Sequence, residues 1–455
     1  MQTLRQLLLG FVIVAVAAQV RRVPRFWAFL FLFVILFPKI ALVAVPGNST
    51  PLRVDDLVLG VVLGGWLIRE ALVPRSRPVP ASPLTPFLLL YLSCAALSTL
   101  VGIGALRTSL ATGALHFTRF VEYTLLYYYF YRTIEPEELP AALEVFRNTW
   151  LIVVIVWAIQ HGIAAPVPSS PIDASSYYPS FSATYDFGAY AMIATTFCYA
   201  LWTDRTVRDL PITVGLLAGL YVVFNGDSRA SLLGLGVAIA FDLFLRLRLK
   251  VAAGLIAVAA VVPYAVSSEK MTRLFETLGE FFSTFDIETL RRAFFNDPSI
   301  GIRLTNWQMA LERWRQQPLI GDGLGAFLSY VKIYDQQGTP DGWYIRTLAE
   351  TGLLGLFTFM LIIGGLLWTL LSARKQFDRP LPRAIVYAAA LALVAATTNA
   401  LLIDTFVSYK IMGVFWMLMA VATRLAAEQP ASLVPVPAAG RAPGGFEVST
   451  PRGAL

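Results

Sequence analysis

Apolar runs of roughly 17–25 residues, the length that crosses a ~30 Å hydrocarbon core, recur along almost the whole chain. That repetition constrains the fold more than any other feature. It predicts an all-α integral membrane protein with about twelve spans, at 26–45, 57–73, 86–104, 109–131, 147–163, 185–203, 209–224, 231–246, 249–266, 344–371, 383–403 and 406–424. Composition agrees: 57% of the 455 residues are hydrophobic and 14% are charged, where a soluble domain carries nearer ~25% charged. The net charge of +7 does not point to nucleic acid, because the basic residues flank the apolar runs as membrane orientation requires.

From an inside amino terminus, the segments on that side hold twenty-one Lys and Arg, among them Arg21, Arg22, Arg25, Arg246, Arg374 and Arg383. The short segments opposite hold only Arg53, Arg107, Arg229 and Lys410. This bias predicts cytoplasmic termini and a large external segment, 267–343, between the ninth and tenth spans. Residues 1–25 read as a cytoplasmic interfacial helix, since Leu7–Val20 is too short to span, with a cleaved signal peptide as the alternative. The domain plan is therefore 1–25 interfacial, 26–266 spans one to nine, 267–343 external, 344–426 spans ten to twelve, and 427–455 a disordered, Pro- and Ala-rich cytoplasmic tail.

Within 267–343, Met271, Leu274, Phe275, Leu278, Phe281 and Phe282 share one helical face. Leu304, Trp307, Leu311 and Trp314 share another, ended by Pro318. Two amphipathic helices at the outer surface are expected. Cys94 and Cys198 lie in apolar runs and read as buried hydrophobes. With His116 and His161 the only histidines, a His- or Cys-based metal site is excluded, and no cofactor is expected.

Charges inside spans cost at least ~2.5 kcal/mol and mark a bundle interior or a water-filled cavity. His116, Arg119 and Glu122 fall on one face of the span 109–131. Arg119 either pairs with Glu122 or lines a cavity for an anionic substrate. In the short turn Asn225-Gly-Asp-Ser-Arg229, Arg229 either caps a helix or presents its fork of donors to a phosphate. Arg303 alone reads as a surface charge. The stretch Pro318-Leu-Ile-Gly321-Asp-Gly323-Leu-Gly325 lacks the strand-to-helix context of a dinucleotide loop, so its glycines read as turn formers. Trp343 and Tyr344 read as interfacial belt residues. Asp341 is a helix cap or a catalytic base, and Glu350, buried in its span, needs a partner that Arg346 at i−4 can supply.

Three pieces of this sequence together resemble the bacterial O-antigen ligase and O-antigen polymerase superfamily of polytopic, GT-C-like glycosyltransferases. They are Ser228-Arg229-Ala230 opening an apolar run, Arg303-Leu-Thr-Asn-Trp307 followed by Pro318-Leu-Ile-Gly-Asp-Gly, and Tyr344-Ile-Arg-Thr-Leu-Ala-Glu350-Thr-Gly-Leu-Leu-Gly. The resemblance is strongest over 210–371. It implies metal-independent transfer of a glycan from undecaprenyl pyrophosphate on the periplasmic face of the bacterial inner membrane. The two essential arginines of the family fall on Arg229 and Arg303. The His-Asn pair of the ligases is replaced by Asp341-Gly342, which favours the polymerase branch over lipopolysaccharide ligation. On this reading Asp341, then Glu350, is the base. Arg229 and Arg303 stabilise the leaving pyrophosphate, and Arg119, Tyr344, Arg346 and His116 line the substrate site. Implied partners are lipid-linked donor and acceptor, membrane lipids, and a chain-length regulator and flippase. A lipid-linked oligosaccharide transporter and a non-catalytic export scaffold are the rivals from other classes.

Overall fold

The computed structural model describes residues 41–43, 52–72, 79–163, 184–204, 208–225, 228–246, 298–327 and 342–428. The expected interfacial helix at 1–25, the ninth span at 249–266, the face beginning at Met271, Asp341 and the tail beyond 428 lie outside them.

Among the described residues the protein is almost wholly helical. The helices are α1 (Val54–Leu72), α2 (Thr85–Gly104), α3 (Leu110–Thr133), α4 (Leu139–Ile163), α5 (Thr184–Thr203), α6 (Leu210–Asn225), α7 (Arg229–Arg246), α8 (Pro298–Gln316), α9 (Trp343–Arg374), α10 (Pro380–Asn399) and α11 (Tyr409–Glu428). Five of these are long and apolar enough to cross a membrane: α2, α4 over Leu139–Ala158, α9, α10 and α11 over Lys410–Glu428. The end of the expected first span is not helical. Ala41–Val43 (β1) pairs antiparallel with Leu52–Arg53 (β2), so the chain at 41–43 is extended, with its backbone hydrogen bonds closed between the two strands.

Small residues set the packing. The core of α10, Tyr387-Ala-Ala-Ala-Leu-Ala-Leu-Val-Ala-Ala, is buried almost throughout, and α5 and α7 pack along it. In a bilayer, close backbone approach rather than the hydrophobic effect holds helices together. Gly234 of α7 shows this: a Cβ there would stand 2.7 Å from the Ala395 carbonyl oxygen of α10. On the other side α11 packs on α3, and α2 on α9. Helices at the periphery turn large apolar side chains outward, as Leu97 and Leu100 of α2, Leu217 and Phe224 of α6, and Phe357 and Trp368 of α9 do. An outward apolar belt is the surface that lipid requires. The protein is a multi-pass membrane protein.

On α8 the structure adds a detail the apolar pattern does not carry, and at Lys410 it corrects an expectation. On α8 the most buried residues are Asn306 and Ala310, both 1% exposed, while Trp307, Leu311 and Trp314 are half-buried. The helix rests on α9 through Ala310 against Ala349 and Phe327. Small residues take the contact face, and the large ones flank it. Lys410, expected in a short external turn, is 1% exposed within the first turn of α11.

Candidate functional site

The site is organised by a break in α9. At Gly352 the backbone adopts φ 67° and ψ −167°, a conformation open to glycine and costly for residues with a Cβ. A break inside a membrane helix frees amides and carbonyls that lipid cannot satisfy. The Pro318–Gly323 loop satisfies them. Leu353 N–H donates to the Pro318 carbonyl at 2.9 Å and Leu354 N–H to that of Leu319 at 3.1 Å. In return the carbonyls of Ala349 and Glu350 accept from Asp322 N–H at 3.0 Å and Gly323 N–H at 2.9 Å. Ser98 Oγ of α2 adds a 2.6 Å bond to the Glu350 carbonyl. The glycine-rich stretch is therefore a wedge between α2, α3 and α9. Gly325, at φ 75°, lies so close to α3 that a Cβ would meet the His116 ring at 2.5 Å.

One turn before the break lies a buried ion cluster. Arg346 Nε donates to Glu350 Oε1 at 3.2 Å and its Nη1 to Asp404 Oδ2 at 2.8 Å. The Arg346 side chain is 4% exposed, Glu350 5% and Asp404 10%. The i−4 partner expected for Glu350 is present, and the Gly325 N–H also donates to its carboxylate. Sequence reasoning missed Asp404. Its only signal is a charge in the two-residue gap left between two apolar runs.

The loop that carries Asp404 is tied to several helices. Trp343 N–H donates to the carbonyls of Ala400 and Ile403. Tyr344 Oη donates to the Thr397 carbonyl of α10 at 2.9 Å, so this expected substrate contact also fastens α9 to α10. Tyr123 of α3 donates to the Val407 carbonyl. Asn399 accepts from Thr405 at 2.6 Å and donates to Ser231 of α7 at 3.2 Å. Ser231 in turn shares a 2.7 Å bond with Ser228, the residue before Arg229.

This chain of contacts ties the start of the helix that carries Arg229 to the Asp404 loop. Arg229 is the exposed first residue of α7, joined through Ser231 and Asn399 to the Asp404 loop. Arg303 lies half-buried on α8, one turn before Trp307, whose indole flanks Gly342 at the start of α9. Asp341 precedes Gly342 but lies outside the described residues. Arg119 is half-buried on α3, and both it and Arg346 act electrostatically on buried His116.

Trp343 is not a belt residue. It is 4% exposed and stacks on Phe120 with ring centroids 6.0 Å apart. With Tyr91, Phe359, Phe406, Phe415 and Trp416 it lines an apolar cavity among α2, α3, α9 and α11. At the outer margin of the wedge, Asp322 pairs with Arg107 at 3.0 Å. Burial pushes its carboxyl above the usual range, and the Arg107 guanidinium works against that rise.

No curated protein matches the chain. Residues 214–360 match the family described as O-antigen ligase. That match runs from α6 through both arginine-bearing helices to the broken helix α9, so this part of the chain is similar to the O-antigen ligase family.

Proposed function

We propose that the protein is a polysaccharide polymerase. It transfers a glycan from undecaprenyl pyrophosphate to a lipid-linked repeat unit on the periplasmic face of the inner membrane, with both termini in the cytoplasm. The observation that carries the reading is the buried Arg346–Glu350–Asp404 cluster, whose Asp404 loop is tied through Asn399 and Ser231 to the start of the Arg229 helix, together with the family match over residues 214–360 that includes Arg229, Arg303, Arg346 and Glu350.

The chemistry follows from charge. As the sugar becomes oxocarbenium-like, negative charge grows on the departing pyrophosphate. Arginines fixed in a partly dehydrated site stabilise it. Arg229 and Arg303 take that role, with Arg119 as a third cation. The acceptor hydroxyl loses its proton to a carboxylate as it attacks. Glu350 already accepts from Arg346 and the Gly325 amide, which favours Asp341 as the base and leaves Glu350 to position Arg346. A single displacement inverts the anomeric carbon, and the pyrophosphate leaves without metal assistance. The aromatic cavity around Trp343 suits apolar parts of the lipid carriers.

The family match supports lipid-linked glycan ligation as a second reading. The Asp341-Gly342 pair in place of the ligase His-Asn pair favours polymerisation. Detergent-purified protein given lipid-linked repeat units tests transfer against transport. Longer glycans formed without a sealed membrane are the expected result, and a requirement for sealed vesicles would overturn it.

A further inference from the structure

A second cluster of charge occupies the opposite end of the bundle, where α7 and α9 finish and α10 begins. Its centre is Asp242, 1% exposed. This carboxylate accepts from Arg246 Nε at 2.5 Å, from Tyr199 Oη at 2.8 Å and from Tyr387 Oη. The Tyr387 ring carries two guanidiniums, Arg374 at 3.6 Å and Arg246 at 5.1 Å from its centroid. Arg383, one turn before Tyr387, reaches Asp204 at 3.4 Å.

The charges do not balance. Arg246 is matched by Asp242 and Arg383 by Asp204, but Arg374 has no carboxylate partner among the described residues. Exposed Lys375 and Arg379 follow it in the turn to α10, opposed there only by Asp378. A planar cation held on an aromatic ring keeps its outer donors free and its orientation fixed. Each of the two helices also carries exposed apolar side chains before its basic end: Trp368 of α9 is 76% exposed and Phe244 of α7 55%. A free phosphate gains nothing from that surface, whereas acyl chains do.

We propose that Arg374, Arg379 and the exposed edge of Arg246 form a binding site for the phosphate of an anionic membrane phospholipid, whose chains lie along α7 and α9. The site stands apart from the transfer chemistry and does not depend on it.

The test is native mass spectrometry of the full chain in detergent, with phosphatidylglycerol, phosphatidylcholine of matched chains, or inorganic phosphate as probe. Phosphatidylglycerol adducts should exceed phosphatidylcholine adducts. Arg374→Gln and the exposed Arg379→Gln should each weaken them about five-fold, the effect of one arginine at an anionic lipid surface. Arg132→Gln, whose residue pairs with Glu70 on other helices, should leave them unchanged. Equal binding of the two lipids, equal loss from all three variants, or binding of inorganic phosphate that prevents the lipid adduct would overturn the proposal. Arg379→Gln keeps the test decisive if Arg374→Gln fails to fold.

Discussion

Arg346 is gripped between two carboxylates, Glu350 on its own helix at 3.2 Å and Asp404 on the loop before α11 at 2.8 Å. All three side chains are at most 10% exposed. Removing the cation leaves two buried negative charges facing each other. Arg346→Ala should destabilise the protein by about 3–5 kcal/mol, the range for breaking a buried ion pair. Thermal unfolding in detergent measures this. Asp404→Asn should cost less, because Glu350 still neutralises the guanidinium.

The break at Gly352 gives a paired prediction. A Cβ there would collide with the Leu319 carbonyl, at a φ of 67°. Gly352→Ala should cost well over the ~1 kcal/mol of left-handed strain alone. Gly364 sits further along α9, where an added methyl would have open space within 4 Å. Gly364→Ala should raise stability by about 0.5–1 kcal/mol. Melting temperatures moving in the same direction would contradict a break that depends on glycine.

Much of this helical layout was legible in the sequence, and the exceptions share a cause. Each expected span on described residues meets a helix, save the extended end of the first. Helix α4 begins at Leu139 rather than 147, because a helix can run past the hydrocarbon through polar residues such as Glu144 that a span-length argument discards. Trp343 fits the aromatic belt by position in sequence, yet Phe120, Phe359 and Phe406 bury it. The register of α8 escapes the apolar pattern because large apolar residues mark a face for lipid or water equally well, while Asn306 and Ala310 fit the narrow gap against α9. The docking of Pro318–Gly323 onto Ala349–Leu354 is a long-range backbone pairing, and side-chain pattern carries no trace of it.

The Asp322–Arg107 pair should hold the wedge against α2. Asp322 is 4% exposed and Arg107 27%, so Arg107→Ala strands a buried acid at a cost of about 1–3 kcal/mol. Burial already raises the Asp322 carboxyl. A group whose folded value is raised contributes stability at low pH and loses it as pH rises through that value. The Arg107→Ala protein should therefore weaken more steeply than wild type as pH rises above the usual carboxylate range. Parallel pH profiles would contradict the pairing.

Arg229→Ala and Arg303→Ala should each abolish polymer formation while protein remains in the membrane at wild-type amounts, read by immunoblot beside glycan profiles. Arg229 is an exposed first-turn residue of α7, and the protein amount in the membrane separates an effect on the transfer from one on the fold. Normal polymer from both variants would mean a scaffold rather than an enzyme.

The most direct measurement is a reconstituted reaction of the purified protein with undecaprenyl-pyrophosphate-linked repeat units as the only glycan. A ladder of longer lipid-linked products that disappears in Arg229→Ala is the predicted result. No ladder, with transfer appearing only when lipid A–core is added, would contradict polymerisation and make the protein a ligase that works without the family histidine.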